Sequence, residues 1–175
     1  SNGTDALMLA LQASGVGPGD VVIAPALSFA ATAGAIAAIG AEPRLVDVGD
    51  HALLDSAAVM AAIDERVRAI VPVHLFGNPC DLGRMPVPLV ADAAQAAGSP
   101  LPSSIPISAV STYPTKAWGG AGEGGFVVGT EALVDRASRL SNHGFDADGV
   151  AHSVAGHTGR NARMGALTAA TLCHT

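Results

Sequence analysis

The segment VVIAPALSFAATAGAIAAIG at residues 21–40 decides the fold class, because an apolar strand leads through a short loop into an apolar helix. Residues 21–24 are β-branched or small and apolar, which is typical of a strand that is buried on both faces. Residues 28–39 are rich in alanine and predict a buried helix, which Gly40 ends. A strand followed directly by a helix is the repeating unit of α/β proteins.

The same segment could also be interpreted as a membrane span, since residues 21–41 carry no charge and have the necessary length. Pro25, Thr32 and Gly34 interrupt it, and much of it is alanine, which is only weakly apolar. A buried strand, a loop and a buried helix therefore explain the segment better.

Outward from this segment, short apolar runs alternate with helical patterns along most of the chain. Further strands are predicted at residues 45–48, 69–73, 89–91, 107–111 and 126–128. Helices are predicted from near residues 1–4 to residue 14, from residue 55 or 56 to about 65, and over residues 131–142. Asn2 or Thr4 is expected to cap the first helix. The alternation predicts an α/β protein with a mostly parallel sheet that is flanked by helices.

Composition narrows the class of function. Charged residues make up 14% of the chain, against about 25% in an average protein, and the net charge is -6. No basic cluster is present, so a nucleic-acid partner is not expected. Cys80 and Cys173 form no CxxC motif and no disulfide framework, which favours a reducing, cytoplasmic setting. A nicotinamide-binding domain is disfavoured, because GxGxxG does not follow the first strand.

Several polar segments fall where an open α/β sheet binds ligands, at the carboxyl ends of its strands. These segments are residues 92–95, residues 111–116 and the loop that contains Phe29. The start of the first helix, at residues 3–5, could join them as an anion site. Free N–H groups and the helix dipole favour a phosphate at that position.

A lysine lies between one strand end and a glycine-rich loop. The run STYPTK at residues 111–116 is followed by GGAGEGG at residues 119–125. Lys116 can reach inward from such a position and act as a nucleophile. The run is not a phosphate-binding P-loop, because no Gly-Lys-Ser or Gly-Lys-Thr closes it. Glu123 is either structural within the glycine loop or close enough to Lys116 to affect it.

Seven stretches together resemble the DegT/DnrJ/EryC1/StrS family of sugar aminotransferases, which are fold-type I enzymes that use pyridoxal 5'-phosphate (PLP). The stretches are SNGTDALMLAL, GPGDVVIAPALSFAATAGAI, VPVHLFGNPCDL, ADAAQAAG, STYPTKAWGGAGEGG, RLSNHG and GRNARMGALTAA. They occur in family order, with similar spacing, over nearly the whole chain. One departure is Ala117, where the family often has asparagine after the lysine.

The resemblance implies roles around the ring of the cofactor. Lys116 matches the lysine that carries PLP, and Asp92 matches the aspartate that pairs with the pyridinium nitrogen. Gln95 matches the residue beside the phenolic oxygen. Phe29 matches the aromatic residue that stacks on the ring. These implied roles make Lys116 and Asp92 the expected catalytic residues.

The resemblance also implies the contacts to the phosphate of PLP. Ser111 and the backbone around Gly3, Thr4 and Asp5 match the family's phosphate-binding residues. Asn161 matches an asparagine that reaches the phosphate of the cofactor in the neighbouring subunit. The resemblance therefore implies a homodimer with shared active sites.

The function implied is transfer of an amino group from an amino acid, expected to be glutamate, to the keto group of a nucleotide-activated sugar. Residues 1–175 are expected to form the large PLP-binding domain, with an N-terminal segment and a small C-terminal domain outside it. A keto cyclitol is the alternative acceptor. A PLP-dependent sugar dehydratase is disfavoured, because a histidine there replaces the lysine that Lys116 matches. A non-catalytic PLP-binding fragment stays open.

The histidines suggest no metal site. His143, His152 and His157 lie within one irregular stretch, and their spacing fits no zinc pattern. A loop in contact with solvent is the better interpretation. His74 is expected to be a buried histidine with satisfied hydrogen bonds, and it is assigned no role.

Overall fold

The computed structural model describes residues 1–146 and 148–174 and has an α/β architecture. Its strands are β1 (Val21–Pro25), β2 (Glu42–Val46), β3 (Val67–Ile70), β4 (Val90–Asp92), β5 (Ile107–Ser111) and β6 (Gly125–Gly129). Its helices are α1 (Gly3–Ala13), α2 (Ala30–Ala38), α3 (Ser56–Ala62), α4 (Glu131–Ser141) and α5 (Ala166–Leu172).

The strands form two three-stranded groups that lie side by side. The first has the order β2-β1-β3 and is parallel, and the second has the order β4-β5-β6, with β6 antiparallel to β5. Isolated parallel bridges from Ile70 to Leu89 and from Val73 to Asp92 join the two groups. The predicted mostly parallel sheet is therefore confirmed.

Helices cover both faces of the sheet, as predicted, and β1 shows how. Val22 and Ala24 belong to a buried cluster that also contains residues of α1, α2 and α4. Val21 and Ile23 point the other way, into a second cluster that contains Val59 of α3. Successive side chains of a strand point to opposite faces, so a strand that is apolar at every position needs two covering layers.

Helix α1 is the central helix of the first layer, and it packs against β5, β6, α2 and α4. It begins where Asn2 caps it, because the Asn2 side chain accepts a hydrogen bond of 2.8 Å from the N–H of Asp5. It ends before Gly15, whose φ of +84° is easily adopted only by glycine. Of the two predicted caps, the structure uses Asn2.

Some predicted boundaries shift by a few residues. Helix α2 begins at Ala30 rather than at residue 28, because Phe29 has an extended backbone with φ -70° and ψ 143°. Helix α3 ends at Ala62 rather than near residue 65, because the extended Ile63 (ψ 129°) leads the chain away. Phe29 therefore belongs to the loop before α2, and Ile63 belongs to the loop after α3.

The uncharged segment at residues 21–41 is divided among β1, a loop and α2, as predicted. No helix within residues 1–146 and 148–174 combines the length and the apolar character that a membrane crossing needs.

Candidate active site

A cavity of about 790 Å³ opens between the start of α1 and the carboxyl ends of β4 and β5. Nine site residues were predicted from the sequence, and eight of them line this cavity: Gly3, Thr4, Asp5, Phe29, Asp92, Gln95, Ser111 and Lys116. Its volume lies in the range that small-molecule and cofactor sites occupy, about 300–1,000 Å³. The structure thus brings these residues together from four separate segments of the chain.

Gly3 allows the start of α1 to lie directly against Ser111. A Cβ atom on Gly3 would lie 2.6 Å from the Ser111 Cβ, which is closer than real carbon contacts. The Ser111 hydroxyl and the free N–H groups of the first turn therefore face the same end of the cavity. Hydroxyl and N–H donors at a helix N-terminus form an anion site.

Asp5 lies in the first turn of α1, so its negative charge is close to this anion site. Neighbouring residues pair with its carboxylate. Asp5 Oδ1 lies 3.3 Å from the guanidinium of Arg160. Its Oδ2 accepts hydrogen bonds from Ser1 and from the Asn2 amide, the latter at 3.2 Å. An anion at the start of α1 would therefore meet backbone N–H groups rather than an unpaired carboxylate.

Asp92 is a buried carboxylate at the end of β4, with 9% of its surface exposed. Its Oδ1 accepts a hydrogen bond of 3.1 Å from the N–H of Ala94. Its Oδ2 accepts one of 2.8 Å from the hydroxyl of Thr32 in α2. A carboxylate with a donor on each oxygen is held in one orientation, and it favours a cationic partner in the cavity.

Gln95 presents its amide NH₂ group to the cavity. Its Oε1 accepts a hydrogen bond of 2.6 Å from the backbone N–H of Phe76, which identifies that atom as the oxygen. The remaining NH₂ group is a donor only, and it suits a ligand oxygen. Phe76 has a φ of +55°, a strained value that this hydrogen bond helps to hold.

Lys116 is half-buried, and it follows a tight turn after β5. Its backbone N–H donates a hydrogen bond of 2.8 Å to the carbonyl of Tyr113. A Cβ atom on Gly119 would lie 2.5 Å from the Pro114 carbonyl oxygen, so only glycine lets the chain fold back there. The turn therefore presents the side chain of Lys116 to the cavity.

Backbone hydrogen bonds hold the glycine-rich loop after Lys116 against the end of β5. The N–H of Gly120 donates to the carbonyl of Thr112 at 2.9 Å, and the N–H of Thr112 donates to the carbonyl of Gly124 at 3.0 Å. Glu123 lies between these points and lines the cavity. These two hydrogen bonds limit the positions that Lys116 can take.

Phe29 lies at the rim of the cavity, with 70% of its surface exposed. Ordinary packing would have placed a phenylalanine in the core. An exposed aromatic ring beside a cavity offers its face to a planar ligand.

His74 is fully buried beneath the cavity, and only one of its ring nitrogens has a partner. Its Nδ1 accepts a hydrogen bond of 2.9 Å from the N–H of Cys80, so the neutral ring carries its proton on Nε2. Nε2 is buried and has no hydrogen-bond partner within the described residues. The prediction of a buried histidine is therefore confirmed, but the prediction that its hydrogen bonds are satisfied holds for Nδ1 only. Burial lowers the pKa of His74, and the nearby charge of Asp92 partly opposes this effect.

Asn161 is exposed and does not line the cavity. Its backbone pairs with Asn142 in an isolated antiparallel bridge, and its Oδ1 accepts a hydrogen bond of 3.3 Å from Arg163. Its role at a neighbouring subunit's site stays a prediction.

The histidines of the irregular stretch at residues 143–158 differ in their surroundings. His143 and His152 are exposed, as expected for a solvated loop, whereas His157 is half-buried and lies 3.3 Å from the Gln12 amide nitrogen. His152 could hold a metal ion together with Asp146 and Asp148, as their ligand atoms lie within 4.8 Å of one another. Residue 147 of this stretch lies outside the described part of the chain.

Sequence reasoning missed the hydroxyl groups of Ser28 and Thr32. Ser28 lines the cavity, and its hydroxyl lies 2.7 Å from that of Thr32. The only local signal was their spacing of four residues at the start of a helix that is otherwise almost entirely alanine.

Comparison with known proteins gives one family over the whole chain. The profile of the DegT/DnrJ/EryC1/StrS aminotransferase family matches residues 1–175. A UDP-N-acetyl-3-dehydro-alpha-D-glucosamine 3-aminotransferase of Acidithiobacillus ferrooxidans is 44% identical in an alignment of 158 residues that covers 82% of this chain and 43% of that protein.

Two solved structures are also similar. DesV of S. venezuelae, solved with a ketimine intermediate, matches with a TM-score of 0.89 and 37% identity, over 99% of this chain and 49% of DesV. NtdA of Bacillus subtilis, solved with bound cofactor PMP, matches with a TM-score of 0.85 and 32% identity, over 98% of this chain and 42% of NtdA. The chain thus spans about half the length of the relatives that it matches.

Proposed function

We propose that this chain, which belongs to the DegT/DnrJ/EryC1/StrS aminotransferase family, forms the PLP-binding part of an enzyme that transfers amino groups. The donor is an amino acid, expected to be glutamate, and the acceptor is the keto group of a nucleotide-activated sugar. One observation carries the proposal: a single cavity collects the only lysine of the sequence, a buried aspartate and a helix N-terminus. The similar UDP-sugar aminotransferase and the similar PMP-bound structure support the acceptor class and the cofactor.

The residues of the cavity match PLP group by group. The start of α1 and the Ser111 hydroxyl would hold the phosphate. The Asp92 carboxylate would pair with the ring nitrogen, and the Gln95 amide NH₂ would donate to the phenolic oxygen. Phe29 would lie against the face of the ring. The phosphate, the ring nitrogen and the phenolic oxygen of PLP would thus each have a protein group of complementary chemistry beside them.

PLP supplies an electron sink for the negative charge that develops when a C–H bond of the substrate breaks. Lys116 Nζ would hold the cofactor and, when free, would serve as the general base for the proton of the substrate C–H bond. Asp92 would keep the ring nitrogen protonated, and Phe29 with the phosphate contacts would fix the plane of the ring.

The proposal also covers the assembly and setting of the protein. Asn161 is exposed outside the cavity, which suits a residue that reaches the phosphate in a second subunit of a homodimer. Both cysteines within the described residues, Cys80 and Cys173, are free thiols, which suits a reducing, cytoplasmic compartment.

Covalent labelling of the full-length protein tests the cofactor site. PLP is added, the link is reduced with borohydride, and peptide masses then locate the cofactor. We expect it on the peptide that contains Lys116, and we expect no label in the matched variant Lys116→Arg. An unlabelled Lys116 in folded protein that is saturated with PLP would contradict the proposal.

Spectroscopy tests the reaction. Adding glutamate to the loaded full-length protein should remove the absorbance band of the bound cofactor, and a nucleotide-linked keto sugar should restore it. Restoration only by a keto cyclitol would indicate the alternative acceptor. A band that no amino donor changes would leave a non-catalytic PLP-binding protein.

A further inference from the structure

Two hydroxyl groups, those of Thr32 and Ser28, connect the carboxylate of Asp92 to the cavity wall by hydrogen bonds. Thr32 Oγ1 lies 2.8 Å from Asp92 Oδ2, and Ser28 Oγ lies 2.7 Å from Thr32 Oγ1. Ser28 lines the cavity, whereas Thr32 is buried behind it with 1% of its surface exposed. The two hydroxyls thus connect the cavity wall to the rear of the carboxylate.

The direction of these hydrogen bonds follows from the chemistry of the groups. An ionised carboxylate can only accept, so the hydroxyl proton of Thr32 points to Asp92. Thr32 Oγ1 is then left to accept from Ser28, whose hydroxyl must be the donor. The result is a one-way relay from Ser28 through Thr32 to Asp92.

Local sequence preference does not explain the hydroxyl of Thr32. It stands in AATAGAIAA, the sequence of α2, where alanine is the best helix former. Threonine in a helix is less favourable than alanine, and a buried hydroxyl without a partner carries a further cost. The bond to Asp92 satisfies this hydroxyl across 60 residues of sequence.

We propose that Thr32 is a positioning residue that holds the Asp92 carboxylate toward the ring nitrogen of PLP, with Ser28 fixing the direction of the Thr32 hydroxyl. The inference rests on the proposed function, since it assumes that PLP occupies the cavity. Without the Thr32 hydroxyl, Asp92 Oδ2 would lose a donor in a buried position. The carboxylate would then be free to rotate, and it would pair less well with the ring nitrogen.

The decisive experiment compares two cofactors in the full-length protein. One is PLP, and the other is an analogue with carbon in place of the ring nitrogen, which offers Asp92 nothing to pair with. The variant Thr32→Val keeps the shape of the side chain and removes the hydroxyl, and Thr32→Ser restores the hydroxyl. Dissociation constants are measured by the absorbance of the bound cofactor, together with thermal unfolding of the cofactor-free protein.

We expect Thr32→Val to weaken PLP binding by about ten- to a hundredfold and to change binding of the analogue little. Thr32→Ser should recover most of the affinity for PLP. A merely structural role would weaken both cofactors equally, and that result would overturn the inference.

Three further outcomes separate a failure of the relay from a failure of the proposed function. If Thr32→Val does not fold, Ser28→Ala becomes the test, and an unchanged preference for PLP over the analogue would overturn the relay. If the parent protein binds PLP at Lys116 and Thr32→Val leaves the preference unchanged, only the relay fails. If the parent protein cannot be labelled with PLP at Lys116, the proposed function fails, and the relay fails with it.

Discussion

Replacing Gly3 with alanine should open the phosphate end of the cavity. The added Cβ would lie 2.6 Å from Ser111 Cβ and 2.9 Å from Ser111 Oγ. Carbon atoms in contact normally lie about 3.5–4.0 Å apart, so α1 and the end of β5 would have to separate by about 1 Å. Such overpacking costs about 1–3 kcal/mol, and the better helix propensity of alanine returns at most about 1 kcal/mol. We therefore expect the free energy of unfolding to fall by about 1–2 kcal/mol.

The same 1 Å displacement should weaken PLP binding, because hydrogen bonds lose strength steeply beyond about 3.2 Å. We expect the dissociation constant of PLP to rise about tenfold. Urea unfolding and PLP titration of the full-length protein measure the two effects. The matched control is Gly34→Ala in α2, where a Cβ would meet nothing within 4 Å. The control should be stabilised by about 0.5–1 kcal/mol. If Gly3→Ala is as stable as the control and binds PLP as the parent does, the close approach of Gly3 and Ser111 is refuted.

Further predictions concern His74, Cys80 and Asn161. Burial lowers the pKa of His74, so below pH of about 6.5 the unfolded chain binds a proton that the folded chain does not, and stability falls as the pH falls. His74→Asn retains an acceptor for the Cys80 N–H and should flatten this slope by up to about 1.4 kcal/mol per pH unit in urea unfolding. A slope that the substitution leaves unchanged would contradict this assignment. Burial raises the pKa of the Cys80 thiol, so its reactive thiolate form is rarer in the folded protein. Iodoacetamide should therefore modify Cys80 at least about a hundredfold more slowly in the folded protein than in urea, as measured by peptide mass. Equal rates would contradict the burial of Cys80. The full-length protein should sediment as a homodimer in which Asn161→Ala weakens PLP binding about tenfold, and a fully active monomer would argue against the shared site.

The sequence alone predicted the fold class and part of the cavity lining. Strand β5 has the predicted limits, Ile107–Ser111, because each of its residues is buried and the Pro-rich stretch before it marks where it begins. The alternation of such strands with helices is local information, and each segment carries it in its own residues. Eight nominated residues line one cavity, because carboxyl ends of strands and the start of α1 meet at one edge of the sheet.

The tertiary structure decided which distant residues touch. Nothing near Thr32 in sequence indicates that its hydroxyl meets Asp92, and nothing near Gly3 indicates that it lies against Ser111. Apolar periodicity shows that a residue is buried, but not which neighbour it meets. The order of the strands in the sheet and the layer in which each helix packs set that pairing, and both depend on contacts throughout the chain. The sequence by itself therefore determined most of the elements, and its resemblance to the family supplied the predicted site residues. The hydrogen bond from Thr32 that orients Asp92 exists only because folding brings α2 and β4 together.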